Sequence, residues 1–153
     1  LSDTLDTSEA ISYLYDIIDN QTTDSSNETD LTIIHRKLGL LLSTKRPNDA
    51  LEFLSSEDEE QIIAQYRCYS TLSDWKKAKS CSDKLLDSNS KNLTGWLLSG
   101  WASFKNQDYT EAQKSFEAAL AASPDNNESL LGLISTLEKS NQETSHLTSI
   151  LDF

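Results

Sequence analysis

Few residues of this chain are spaced to do chemistry. The two histidines, His35 and His146, lie far apart in sequence, and neither has a cysteine or carboxylate at a metal-ligand spacing. Catalysis needs a nucleophile, a base and stabilising donors that converge, and no such set can be read here. Cys68 and Cys81 fall within helical patterns without metal-ligand spacing, so they read as reduced, packed thiols, with a disulfide open to them if the parent protein is exported. Gly39, Gly95, Gly100 and Gly132 form no phosphate loop and read as close-packing sites inside helices. The acidic run Glu57 to Glu60 lacks the alternating ligands and glycine of a calcium loop and reads as a solvated cap. Asn-x-Ser/Thr triplets at Asn20, Asn27, Asn92 and Asn127 follow from a composition rich in Asn, Ser and Thr. The expectation is a protein with no catalytic residue, no metal and no cofactor.

What remains is a set of large apolar side chains at helical spacings, and those need elements to hold them. Only four Gly and two Pro interrupt 153 residues, which favours long helices over many short strands. A chain of this length can bury a substantial core. Thirteen Lys and Arg against 25 Asp and Glu give a formal charge of -12, which repels phosphate backbones and anionic membrane surfaces. Nucleic acid is therefore not an expected partner. No apolar run approaches the roughly 20 residues that span a bilayer, so direct membrane insertion is not expected either. A cytoplasmic location is the first expectation, with the periplasm, as part of a larger envelope protein, the alternative. The absence of Met, including a starting one, points to a piece of a longer protein.

Internal repetition organises the chain. Asp74-Trp75-Lys76-Lys77-Ala78 and Asp108-Tyr109-Thr110-Glu111-Ala112 share the order acid, aromatic, two polar residues, alanine, at a spacing of 34. The second segment continues a longer pattern: Trp96 and Gly100 before it, then Ala112, Phe116, Ala119 and Pro124. These residues resemble the tetratricopeptide repeat, whose pattern is W-x2-L-G-x2-Y, then A-x3-F, then P. Ser99 and Ser103 depart from it, standing where Leu and Tyr are expected. Small Gly100 and Ala112 let two antiparallel helices approach, while Trp96, Phe116 and Leu120 fill the space between hairpins. Pro124 ends its helix, and 106–108 is the turn.

The register gives an all-α fold, an α-α superhelix of helix-turn-helix repeats forming a single domain over 1–153. A partial unit at 8–19, with Ser8 as cap, precedes a loop at 20–30. Repeats follow at about 31–58, 59–92 and 93–126, and a partial or capping unit occupies 127–153. In the first repeat, Pro47 ends one helix and Asn48 or Asp49 caps a short second one. The step from Ala50 to Ala78 is 28 rather than 34, so the acidic segment 55–60 replaces a last turn and caps the next helix. In the final unit, Leu130, Leu133, Ile134 and Leu137 mark a first helix, and His146, Ile150 and Phe153 take places equivalent to Ala112, Phe116 and Ala119.

The resemblance implies a protein-binding module whose first helices line a concave groove. On that reading Leu97, Trp101, Phe104 and Lys105 face the groove beside Leu131, with cations at Arg36 and Arg67 and His35 nearby. Trp101 equally fits a place packed against a neighbouring helix. Ile63, Arg67, Leu97 and Leu98 occupy sites where carboxylate-clamping members of the family carry Lys and Asn, so a chaperone-tail adaptor is disfavoured. The expected partner is a protein, presenting a peptide segment or an amphipathic helix. The second reading is a structural segment of a longer solenoid used in assembly, for example of a secretion, pilus or polysaccharide-export apparatus, with a second copy of the chain as a partner through repeat stacking.

Overall fold

A computed structural model describes residues 7–20, 28–55 and 58–151, with side chains described except at 28–30 and 144–151. Among the described residues there are eight helices and no strand: α1 (Thr7–Asn20), α2 (Glu28–Leu42), α3 (Pro47–Phe53), α4 (Glu59–Thr71), α5 (Trp75–Ser88), α6 (Leu93–Lys105), α7 (Tyr109–Ala122) and α8 (Asn127–Leu151). The fold class is all-α. The chain divides into two compact units, Leu1–Leu72 and Ser73–Phe153.

Helix ends repeat with the period of the sequence. Asp58, Asn92 and Asn126 each stand before a helix and accept from the backbone N–H three residues on, at Gln61 (2.9 Å), Gly95 (2.9 Å) and Ser129 (2.7 Å). Asp74 and Asp108 do the same for α5 and α7, accepting from Lys77 and Glu111 at 3.2 Å each. A side-chain oxygen there satisfies one of the four N–H groups that a helix start leaves without a partner. Immediately before those two aspartates lie Ser73 (φ 57°) and Gln107 (φ 63°), the chain's left-handed non-glycine residues among those described. A single left-handed residue is the usual way to stop one helix and turn into the next.

In the first unit α1 packs on α2, α2 on α3, and α4 on both α2 and α3. Its core holds Ile11, Leu38, Leu42, Ala50, Leu54, Ala64 and Cys68. Tyr15 and Phe53 meet edge to face at 5.8 Å on the margin of that core. Pro47 opens α3 instead of only closing α2, because its missing N–H costs nothing at a first helical position. Arg46, with no side-chain cap bond, therefore takes the N-cap place expected of Asn48 or Asp49, and it pairs with Asp49. Asn20 closes α1 and Glu28–Asp30 open α2, so both edges of the stretch expected to be a loop at 20–30 are helical; 21–27 lie outside the described residues.

In the second unit α6 packs against α5 and α7, and α8 against α7 and α6. Leu97, Ala112, Phe116 and Ala119 form one buried cluster there, and Ala78, Cys81, Leu85 and Ala102 are buried as well. A Cβ added at Gly100 or Gly132 would fall 2.6 Å or 2.3 Å from the Phe116 ring, so two glycines clasp that ring from α6 and α8. Ser99 on α6 and Ser115 on α7 are hydrogen-bonded to each other at 3.0 Å, giving the buried hydroxyls a partner across the hairpin. The final unit departs from expectation. α8 runs unbroken through 140–142, where a hairpin turn would fall, and the expected roles of His146, Ile150 and Phe153 lie outside the described side chains.

Candidate functional site

The residues expected at a groove divide between the two units. In the first unit Arg36 stands on α2, where its Nε donates to Asp58 Oδ2 at 3.1 Å and its Nη2 to Glu60 Oε2. The bond to Asp58 holds the guanidinium charged, its pKa pushed up. Asp58 is held below the ordinary carboxylate range, chiefly by the Gln61 side-chain amide, with the Gln61 backbone N–H and Arg36 adding to it. Arg36 is thus committed to two carboxylates across α2 and α4, which removes it as an unpaired groove cation. His35, next to it, is half-buried. Its ring lies 5.5 Å from Phe53, so it packs toward α3 within the hairpin.

Arg67 behaves differently. It is exposed on α4, and with Ile63 and Ala64 it borders a cavity of about 630 Å³ whose opposite wall is Leu40 of α2 and Ser43 in the turn that follows it. Glu59 and Glu60 close one end. The cavity thus has apolar walls, with a cation at one end and carboxylates at the other. Leu40 carried no sequence signal for this role, because a leucine on an apolar helix reads as core whichever way it points.

In the second unit the expected stripe splits. Leu97 is buried with Ala112, Phe116 and Ala119, so it belongs to the core and not to a groove. Its place on the α7 side of α6 decides this. Trp101 is half-buried: its ring meets Phe116 at 5.1 Å and Phe104 at 5.7 Å, both edge to face, while its Nε1 donates to Glu128 Oε1 at 3.1 Å. Phe104 also meets Tyr109 at 5.6 Å. The structure therefore joins Trp101 and Phe104 into one aromatic cluster between α6, α7 and the start of α8. Lys105 is exposed in the last turn of α6, and Leu131 is 59% exposed on α8. Trp96 is half-buried as well, with its Nε1 donating to the Ser90 carbonyl at 2.9 Å.

The caps, the left-handed turns and the glycine-clasped phenylalanine describe one repeating hairpin, and the sequence comparison agrees. The family model for the tetratricopeptide repeat matches residues 71–127 and 97–143. The chain carries tetratricopeptide repeats. Among solved structures, a tetratricopeptide repeat protein from Parabacteroides merdae ATCC 43184 is 17% identical, with a TM-score of 0.71 over 96% of this chain and 61% of that one. A crystal structure of MamA is 14% identical, with a TM-score of 0.65 over 92% of each chain. At such identities the likeness is one of fold. This chain spans less than two thirds of the Parabacteroides structure. No curated protein matches the sequence. Tetratricopeptide repeats generally mediate protein–protein interaction and are typically non-enzymatic.

Proposed function

We propose that this chain is a non-enzymatic recognition module that takes a partner's peptide segment along the inner faces of its first helices. The observation that carries the reading is the α2–α4 cavity of about 630 Å³, with Leu40 and Ile63 on its walls and Arg67 on its rim. A segment with an apolar anchor and a nearby carboxylate matches it, the anchor burying surface and the carboxylate meeting the exposed guanidinium. Ile63→Asp and Arg67→Glu, made singly, should each lower affinity for a captured partner at least tenfold, with melting temperature and helical circular dichroism close to those of the parent chain. Unchanged affinity in both would sink the proposal.

A second reading, a segment stacked into a longer assembly, is favoured by one feature. Leu130, Leu131, Ile134 and Leu137 are all exposed along α8 at helical spacings. Leu131→Glu separates the readings: it should disturb higher-order assembly but leave peptide capture at α2–α4 intact.

A further inference from the structure

Along the α2–α4 cavity, charge and apolar surface alternate in a fixed order. Glu59, Ile63 and Arg67 stand at positions i, i+4 and i+8 of α4, and all three border the cavity, so they share roughly one face of the helix. At 1.5 Å of rise per residue they follow one another at about 6 Å, or about 12 Å from first to last. Each can be reached from solvent: Glu59 and Arg67 are exposed, and Ile63 is half-buried, as is Leu40 on the opposite wall.

The two ends differ in sign. At the first, Arg36 offsets only one of the three carboxylates of Asp58, Glu59 and Glu60, so that end keeps a net negative charge. At the other, Arg67 forms no ion pair among the described residues. The dipole of α4 runs the opposite way, but about half a charge at each helix end is smaller than the full charges of the side chains. An extended segment matches this register. Its alternate side chains share a face and follow one another at about 6.6 Å, so residues i, i+2 and i+4 can lie opposite Glu59, Ile63 and Arg67 one to one. An all-acidic segment meets repulsion at the first end and an all-basic one at the second. Resting on the reading of this cavity as a peptide groove, we infer that the segment it takes is extended and carries both charges: a basic side chain against Glu59 and Glu60, an apolar one between Ile63 and Leu40, and an acidic one against Arg67, at alternate positions.

The test is a titration of the whole chain, followed by nuclear magnetic resonance of the Leu40 and Ile63 methyls and the α2 and α4 amides. The probe is the acetylated, amidated peptide Gly-Lys-Ser-Leu-Ser-Glu-Gly, with Gly-Glu-Ser-Leu-Ser-Lys-Gly beside it, because the groove orders the charges and not the direction of the chain. The control, Gly-Ser-Lys-Leu-Glu-Ser-Gly, has the same composition and net charge but turns both charges to the opposite face. One order of the probe should bind saturably and roughly threefold or more tightly than the control, as two exposed ion pairs allow. Salt at about 1 M should erase that difference. Arg67→Glu should shift the preference toward Gly-Lys-Ser-Leu-Ser-Lys-Gly, whereas Lys105→Glu, which changes the net charge equally from the other unit, should not. If Ile63→Asp removes binding but probe and control bind equally, or if Arg67→Glu leaves the ranking as it was, the groove reading stands and this inference falls. No saturable binding by any of these peptides, or binding that Ile63→Asp does not weaken, sinks both.

Discussion

The Phe116 ring is the tightest point in the second unit, and it sets what its neighbours can be. Gly132→Ala would put a methyl 2.3 Å from a fully buried ring, and Gly100→Ala one at 2.6 Å. Neither contact is tolerable unless the ring moves, and each glycine blocks the escape the other would need. Overpacking of this kind costs about 1–3 kcal/mol, while alanine returns about 1 kcal/mol of helix propensity, so the overpacking wins. Gly132→Ala should lose about 1–2 kcal/mol in urea denaturation, and more than Gly100→Ala; a gain in stability would mean that the ring is not clasped. Gln107 presents the opposite case. An exposed residue held at φ 63° pays a steric cost of about 1–2 kcal/mol, against about 0.5–1 kcal/mol of extra chain entropy for glycine. Gln107→Gly should therefore stabilise by about 0.5–1 kcal/mol, measured the same way, and Ser73→Gly should follow it in sign.

Helices were the most legible level of the sequence, because apolar spacing of three and four depends on backbone period alone, as in Ala112, Phe116 and Ala119. Direction around each helix was less legible. Leu97 and Trp101 lie four residues apart and both looked like groove residues, yet the first is core and the second half-buried, since α7 and α8 together cover more of α6 than one hairpin partner would. The partners of Arg36 and His35 were not legible for a related reason: Asp58, Glu60 and Phe53 come from other elements, and no local pattern announces such a pairing. α8 shows the limit of repetition itself. Residues 140–142 stand one period after the turn at 106–108, but the segment contains no Gly or Pro, and nothing local outweighs helix continuation. Asn141→Pro tests this: proline inside a helix costs roughly 3 kcal/mol, so the substitution should unravel the end of α8 and lower the helical circular dichroism signal. If 140–142 were a turn, proline would be tolerated and the signal unchanged.

Taken whole, the molecule carries far more acid than base, and its ion pairs do little to offset that. Arg46–Asp49, Lys77–Asp74, Lys79–Asp83 and Lys114–Glu111 all join residues three or four apart on one stretch of chain, and such surface pairs contribute about 0–1 kcal/mol each. The net charge of -12 remains as a diffuse repulsion that the folded state concentrates. Added salt should therefore raise the melting temperature at pH 7, an effect that should fade near the isoelectric point of about 4.4. Lowering the pH first relieves the repulsion, then meets carboxylates that the fold keeps ionised. Asp58, lowered chiefly by the Gln61 side-chain amide, and Glu111, lowered chiefly by the Lys114 hydrogen bond, bind protons more readily unfolded than folded. Their contribution is complete above the ordinary carboxylate value of about 4 and is lost as the pH falls from there through the depressed folded values. Melting temperature plotted against pH should thus be flat or rising from pH 7 down to about 5, and should fall steeply below about 4. Asp58→Asn keeps a capping oxygen but cannot titrate, so its acid limb should be shallower than that of the parent chain; an identical limb would mean that Asp58 is not among the groups whose protonation unfolds the protein.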